Sequence, residues 1–183
     1  RPRISPASYG QHYLELILER ARMSPGIEAR YRDAVQRLVE VGERRFAAVD
    51  ASFVIHGDCH KGNLLRSGER FFFLDFDDMA LGPAVQDIWL LLPARPRDCV
   101  AEVDALLEGY EQFRPFDRAS LRLVEVLRGL RYVRYAGWVL DRWEDPAFPR
   151  AFPQFGTDAY WESQFADLDE QLRIIAAEDV EYV

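Results

Sequence analysis

The centre of the chain limits its fold most. Ser52 to Ile55 is a short β-prone run, and it leads into the polar stretch VIHGDCHKGNL, Val54 to Leu64. Asn63 to Arg66 offers another short strand, and Ser67-Gly68-Glu69 has the composition of a tight turn. Arg70 to Phe76, reading RFFFLDF, is a dense aromatic strand candidate. The order predicts a strand, a polar loop and then a β-hairpin.

On both sides the apolar period becomes helical. Tyr9, Tyr13, Leu14, Ile17, Leu18 and Ala21 fall on one face of a first helix. Ser24-Pro25-Gly26 breaks it. Ile27, Tyr31, Ala34, Val35, Leu38 and Val41 or Gly42 mark a second helix, running to about Val49. After Gly82, Pro83 suits a first helical position, where no amide partner is needed, and Ala84 to Leu92 follows. Arg97 to Phe113 and Asp117 to Trp143 read as two more helices. Asp145-Pro146-Ala147-Phe148-Pro149 opens a proline-rich loop, and Thr157 or Asp158 caps a last helix to about Ala177. The predicted fold is α+β, mainly α, as a single domain over residues 1–183 with a small central β-hairpin.

Composition removes several function classes. Hydrophobic residues make up 49% of the 183, which argues against disorder. No run approaches the roughly 18 apolar residues of a membrane span. The start, RPRISPASYG, lacks the apolar stretch of a signal peptide. The expectation is a soluble, cytoplasmic protein with no membrane partner. Net charge is −8, whereas nucleic-acid binders are usually basic, so no nucleic-acid partner is expected. Cys59 and Cys99 are too few for a disulfide scaffold, and Cys59 reads as a small, half-buried thiol. Lys61 is the only lysine in the chain.

Three chemistries compete for the polar stretch. A metal-dependent phosphoesterase would use Asp58 and His60 as an Asp-x-His pair, but it needs further ligands. The other histidines are His56, two residues upstream, and His12 in the first helix. A Cys59 nucleophile needs a histidine base, yet adjacent side chains on an extended loop point apart, so His60 is badly placed. Phosphoryl transfer needs a carboxylate facing the acceptor hydroxyl and hard oxygen ligands for magnesium. Asp58 and Asn63 have the kinase Asp-to-Asn spacing, and Asp75 follows on the next apolar strand. This third reading fits best.

His56-Gly57-Asp58-x-His60-x-x-Asn63 resembles the catalytic loop of the aminoglycoside phosphotransferase and choline kinase families. Leu74-Asp75-Phe76 resembles their metal-binding motif, and Gly82-Pro83 with Asp87 the segment that follows. HGDCHKGN, LDFDD, GPAVQDIWLLL and DPAFP look most like the bacterial stress-response serine/threonine protein kinase group of that superfamily. The resemblance implies a protein-kinase-like fold. It implies ATP as co-substrate, Mg2+ as cofactor, and a protein or small-molecule hydroxyl as acceptor. Asp58 then matches the catalytic Asp, and Asn63 and Asp75 match the metal ligands. His56 matches a residue bracing the loop, and Asp87 a buried acceptor of the loop's amides. His60 either meets a phosphoryl oxygen or holds the loop. Asp77 and Asp78 either assist metal or substrate or form an acidic turn. Lys61 stands exposed on the loop or near substrate.

A kinase also needs a smaller, β-rich lobe whose glycine-rich loop and lysine hold ATP. No such loop and no lysine precede Asp58, so the expectation is a C-terminal lobe whose N-terminal lobe is missing. A stand-alone, non-catalytic binding lobe is the other explanation. Arg128, Arg131 and Arg134 lie three apart and read as cover for apolar surface rather than an acceptor stripe. Trp138, Trp143, Phe148 and Trp161 read as core and loop anchors.

Overall fold

Helical flanks around short central strands are what the computed structural model contains. It describes residues 1–50 and 53–181; Ser52, where the first strand was expected to begin, lies outside them. The chain forms two compact units. One comprises Arg1–Ile4 and Arg45–Val124, the other Ser5–Arg44 and the chain from Glu125 onward.

The second unit is helical. A π-type turn at Ala7–Gln11 leads into α1, His12–Arg20. Helix α2, Pro25–Phe46, begins at the proline that was expected to lie in the break. Its ring costs nothing there, because the first helical N–H has no intrahelical acceptor. The Ser24 carbonyl instead accepts from Ile27 and Glu28. Helix α5, Val124–Asp141, follows a 3-10 turn at Arg118–Leu123, where one continuous helix was expected. A short α6, Ala147–Ala151, replaces the expected proline-rich loop, started by Asp145 accepting from the Ala147 amide at 2.9 Å. Thr157 Oγ1 caps α7, Asp158–Glu181, through the Tyr160 amide. Within this unit Leu14, Ile17, Tyr31, Val35, Leu38, Leu130, Val133, Trp161, Leu168 and Ile175 are buried at helical spacing. The arginine row is structural: Arg128 lies 3.5 Å from Glu125, and the Arg134 guanidinium sits over the Tyr9 ring.

The first unit holds both sheets. Strand β1, Phe53–Ile55, pairs antiparallel with β4, Ala80–Gly82, and Arg3 adds an isolated bridge to Leu81. Strands β2, Leu64–Ser67, and β3, Arg70–Phe73, form the hairpin, with Leu64 opposite Phe73 and Ser67 opposite Arg70. Strand β3 therefore stops short of Phe76, because Asp75 turns into the left-handed region at φ 61°. Helix α3 covers only Val85–Trp89; Pro83 precedes it, its carbonyl accepting from the Gln86 amide. Helix α4, Val100–Glu111, starts after a 3-10 turn at Pro96–Asp98. Among the described residues no helix is long and apolar enough to cross a membrane.

Tyr31 is fully buried, and its hydroxyl has no hydrogen-bond partner among the described residues. Tyr31→Phe should raise stability by about 1 kcal/mol, because it removes an unsatisfied buried donor without changing the ring. Urea unfolding followed by tryptophan fluorescence measures this.

Candidate active site

The loop is built from the end of β1. Ile55 is buried, and the chain must then leave the sheet. Gly57 makes the exit at φ 85°, and a Cβ there would stand 2.3 Å from the Asp78 carbonyl oxygen. Both the dihedral and the space require glycine.

Two neighbouring side chains of α3 then hold the peptide groups before Asp58. Asp87 accepts from the His56 amide at 2.7 Å and from the Gly57 amide at 2.9 Å, one bond to each carboxylate oxygen. Gln86, buried, donates through Nε2 to the Gly57 carbonyl at 2.9 Å and accepts from Trp89 Nε1 at 3.1 Å. Asp87 thus meets two amides of the loop. Gln86 was missed. Its signal was an amide beside Asp87 in a run, GPAVQDIWLLL, that is apolar elsewhere, since a polar side chain buried on a short helix must find partners. Burial pushes the Asp87 carboxyl upward, outweighing the two amide bonds and His56 that draw it down; the Asp58 charge adds to the rise.

His56 ties this loop to the hairpin. Its Nε2 lies 2.8 Å from the Leu74 carbonyl, which can only accept, so the ring proton is on Nε2. Nδ1 is buried and has no hydrogen-bond partner among the described residues. The imidazole also leans on Phe76, ring centroids 4.8 Å apart. His56 therefore braces the segment that leads to Asp75.

His60 belongs to the loop itself. Its Nδ1 accepts from the Gly62 amide at 2.9 Å, which leaves the proton on Nε2, 3.4 Å from Asp58 Oδ2. Of its two expected roles, the geometry supplies the loop-holding one. A 3-10 turn, Lys61–Asn63, follows, with Lys61 exposed.

Asn63 closes the site. Its Nδ2 donates to the Asp58 carbonyl at 2.9 Å, its own carbonyl accepts from the Leu74 amide at 2.9 Å, and its Oδ1 is left as an acceptor. Asp75 is the next residue after Leu74. These bonds gather Asp58, Asn63 and Asp75 at one junction, from three points of the sequence. Asp77 and Asp78 form the turn after Asp75; the Asp78 carbonyl packs against Gly57, and Asp77 is exposed.

The donor set suits a hard cation. Asp75 offers carboxylate oxygens and Asn63 an amide oxygen, the ligand types magnesium takes. Among the described residues no group of three His, Cys, Asp or Glu side chains is arranged to hold a metal. Cys59 is buried, and burial, with the charges of Asp87 and Asp58, pushes its thiol up to about 11. It is a protonated core thiol at neutral pH rather than a nucleophile.

Residues 4–124 match the phosphotransferase enzyme family. The chain belongs to this family. Over 96% of its length it is 35% identical to stress response kinase A of Escherichia coli K12 and of Salmonella typhi. It is equally similar to the serine/threonine protein kinase RdoA of Salmonella typhimurium. It spans 53% of the length of these relatives. The fold is shared with an amicoumacin kinase, hAmiN, solved with AMP-PNP, Ca2+ and Ami, at TM-score 0.60 and 18% identity. That match covers 93% of this chain and 50% of the other. It is shared too with a choline kinase from Cryptosporidium parvum Iowa II, at TM-score 0.58 and 11% identity, covering 96% and 57%. The expected protein-kinase-like fold is thereby established for this member of the family.

Two measurements probe the site's construction. Asp87 has a folded-state pKa above its unfolded one, so its contribution to stability falls as pH rises from about 3.8 through the raised value. Asp87→Asn should remove that pH-dependent decline and, at neutral pH, cost about 1–3 kcal/mol, since one backbone amide loses its acceptor. Chemical unfolding from pH 3.5 to 8 tests both. Cys59 should react with iodoacetamide at pH 7.5 at least about tenfold more slowly in the native chain than in urea, read by mass spectrometry.

Proposed function

We propose that this chain is the catalytic-loop lobe of a kinase that transfers the γ-phosphate of ATP to a serine or threonine hydroxyl of a protein, with magnesium. The single observation that carries the reading is the Asn63 Nδ2 bond to the Asp58 carbonyl. It presents a carboxylate and an amide oxygen from one short loop, beside Asp75.

Asp58 orients the acceptor hydroxyl and takes its proton. The acceptor oxygen bonds to the γ-phosphorus, the bond to the bridging oxygen breaks, and ADP leaves. Positioning supplies much of the acceleration, so Asp58 needs no elevated basicity. His60, with Nε2–H toward Asp58 Oδ2, steadies the carboxylate. Asn63 Oδ1 and Asp75 would hold magnesium, which when bound neutralises charge on the phosphates. His56, Gln86 and Asp87 keep the loop and the Asp75 turn in register.

The hairpin supports a second lobe in the whole protein. Phe71, Phe73 and Phe76 are 62%, 51% and 51% exposed, and Leu65, Phe72 and Leu74 are exposed beside them. So many exposed apolar side chains on and beside one hairpin call for a cover. The chain by itself is therefore expected to have little kinase activity. A second reading, a small-molecule kinase for an aminoglycoside, choline or sugar-type alcohol, is favoured by the fold shared with amicoumacin kinase and choline kinase.

The longest natural protein carrying this chain should be assayed with labelled ATP against bacterial proteins and a panel of small alcohols. Label should enter serine or threonine, and Asp58→Asn should lower transfer by about a hundredfold or more. Undiminished labelling in Asp58→Asn would overturn the catalytic assignment, and label confined to small alcohols would favour the second reading. Asn63→Ala should raise the magnesium concentration needed for half-maximal rate.

A further inference from the structure

A shallow groove of about 510 Å³ adjoins the catalytic loop, lined by Lys61, Leu91, Pro93, Glu102, Ala105 and Leu106. Its position gives it meaning. Lys61 is three residues beyond Asp58 and opens the turn that ends at Asn63. A chain lying in the groove would therefore pass beside the residue assigned to the acceptor hydroxyl. The inference rests on the protein-kinase reading above.

The lining has a definite chemistry. On α4, Val103 and Leu107 turn into the core, whereas Glu102 and Ala105 are exposed and Leu106 is half-buried. Positions 102, 105 and 106 share one helical face. With Leu91 and Pro93 they form an apolar floor. The lining carries both charges, Lys61 on the catalytic loop and Glu102 on α4. Neither has a salt bridge among the described residues. In a chain of net charge −8, the one lysine is a local positive point in a negative field. A groove with one uncommitted cation, an apolar floor and one uncommitted anion selects both a partner and its direction.

We propose that this groove binds the acceptor polypeptide, seating an apolar side chain on Leu91, Pro93 and Leu106 and an acidic side chain on Lys61. Glu102 repels an acidic residue beside α4 and so sets the polarity of the bound segment. An aminoglycoside, being polycationic and lacking an apolar side chain, matches neither the floor nor Lys61.

The test uses the longest natural protein carrying this chain and synthetic serine peptides in which one flanking position is apolar or polar and another acidic, neutral or basic. The wild type should prefer the apolar–acidic peptide by about tenfold in kcat/KM, the size expected of one charge contact and one seated side chain. Lys61→Glu should reverse the charge preference toward basic peptides, a gain that misfolding cannot produce. Ala105→Arg should fill the floor and raise KM for the preferred peptide by about tenfold, with the melting temperature recording that the variant is folded. If either variant keeps the wild-type peptide profile, the groove is not the acceptor site. If the wild type labels small alcohols and no peptide or protein, the protein-kinase reading fails first. If proteins are labelled and the groove variants change nothing, only the groove assignment fails.

Discussion

The site depends on a half-buried carboxylate. Asp87 gives one oxygen to the His56 amide and the other to the Gly57 amide. Burying a carboxylate is unfavourable, and the upward push on its pKa records that penalty. Two charge-assisted bonds offset it and leave the preceding backbone with one conformation. Asp87 stands on a helix whose Val85, Ile88 and Trp89 are in the core. The loop therefore inherits the rigidity of the packing beneath it. Gln86 adds a third bond from the same helix, to the Gly57 carbonyl, so the peptide units that precede Asp58 are held by two consecutive residues.

A second set of bonds runs at right angles in the logic of the fold, from loop to hairpin. Asn63 reaches back to Asp58 through its side chain and forward to Leu74 through its carbonyl. His56 meets the Leu74 carbonyl from the other side. Leu74 is thereby fixed at both its amide and its carbonyl, immediately before the left-handed Asp75. A non-glycine residue at φ 61° costs of the order of 1 kcal/mol. Aspartate tolerates it better than most, and the turn aims a carboxylate that a continuing strand would have sent elsewhere. The aromatic residues around it, Phe71, Phe73 and Phe76, are exposed.

Legibility in the sequence followed the range of the forces involved. Helical faces such as Ile27, Tyr31, Val35 and Leu38 were readable because their spacing is a local consequence of 3.6 residues per turn. Thr157 was readable as a cap because its partner, Tyr160, is three residues away. Pro25 was misplaced because proline both breaks a helix and starts one, and local sequence does not choose between them. Strand β4 was invisible: Ala80-Leu81-Gly82 is too short to signal a strand and exists because Phe53–Ile55 needs a partner. The end of β3 at Phe73 was equally hidden, since RFFFLDF has β character throughout.

By itself the sequence determined the mainly helical class, the hairpin, and the nomination of Asp58, Asn63 and Asp75 by residue type and spacing. The tertiary structure decided how these residues are joined. It gave His60 its loop-holding bond, set the His56 ring against the Leu74 carbonyl, and brought Gln86 into the site. It also buried Cys59 and so kept its thiol protonated. Each of these decisions turns on which buried polar atom meets which partner, usually across many residues of chain. Low-dielectric surroundings make an unmet partner costly, and a linear sequence does not say where those surroundings will be.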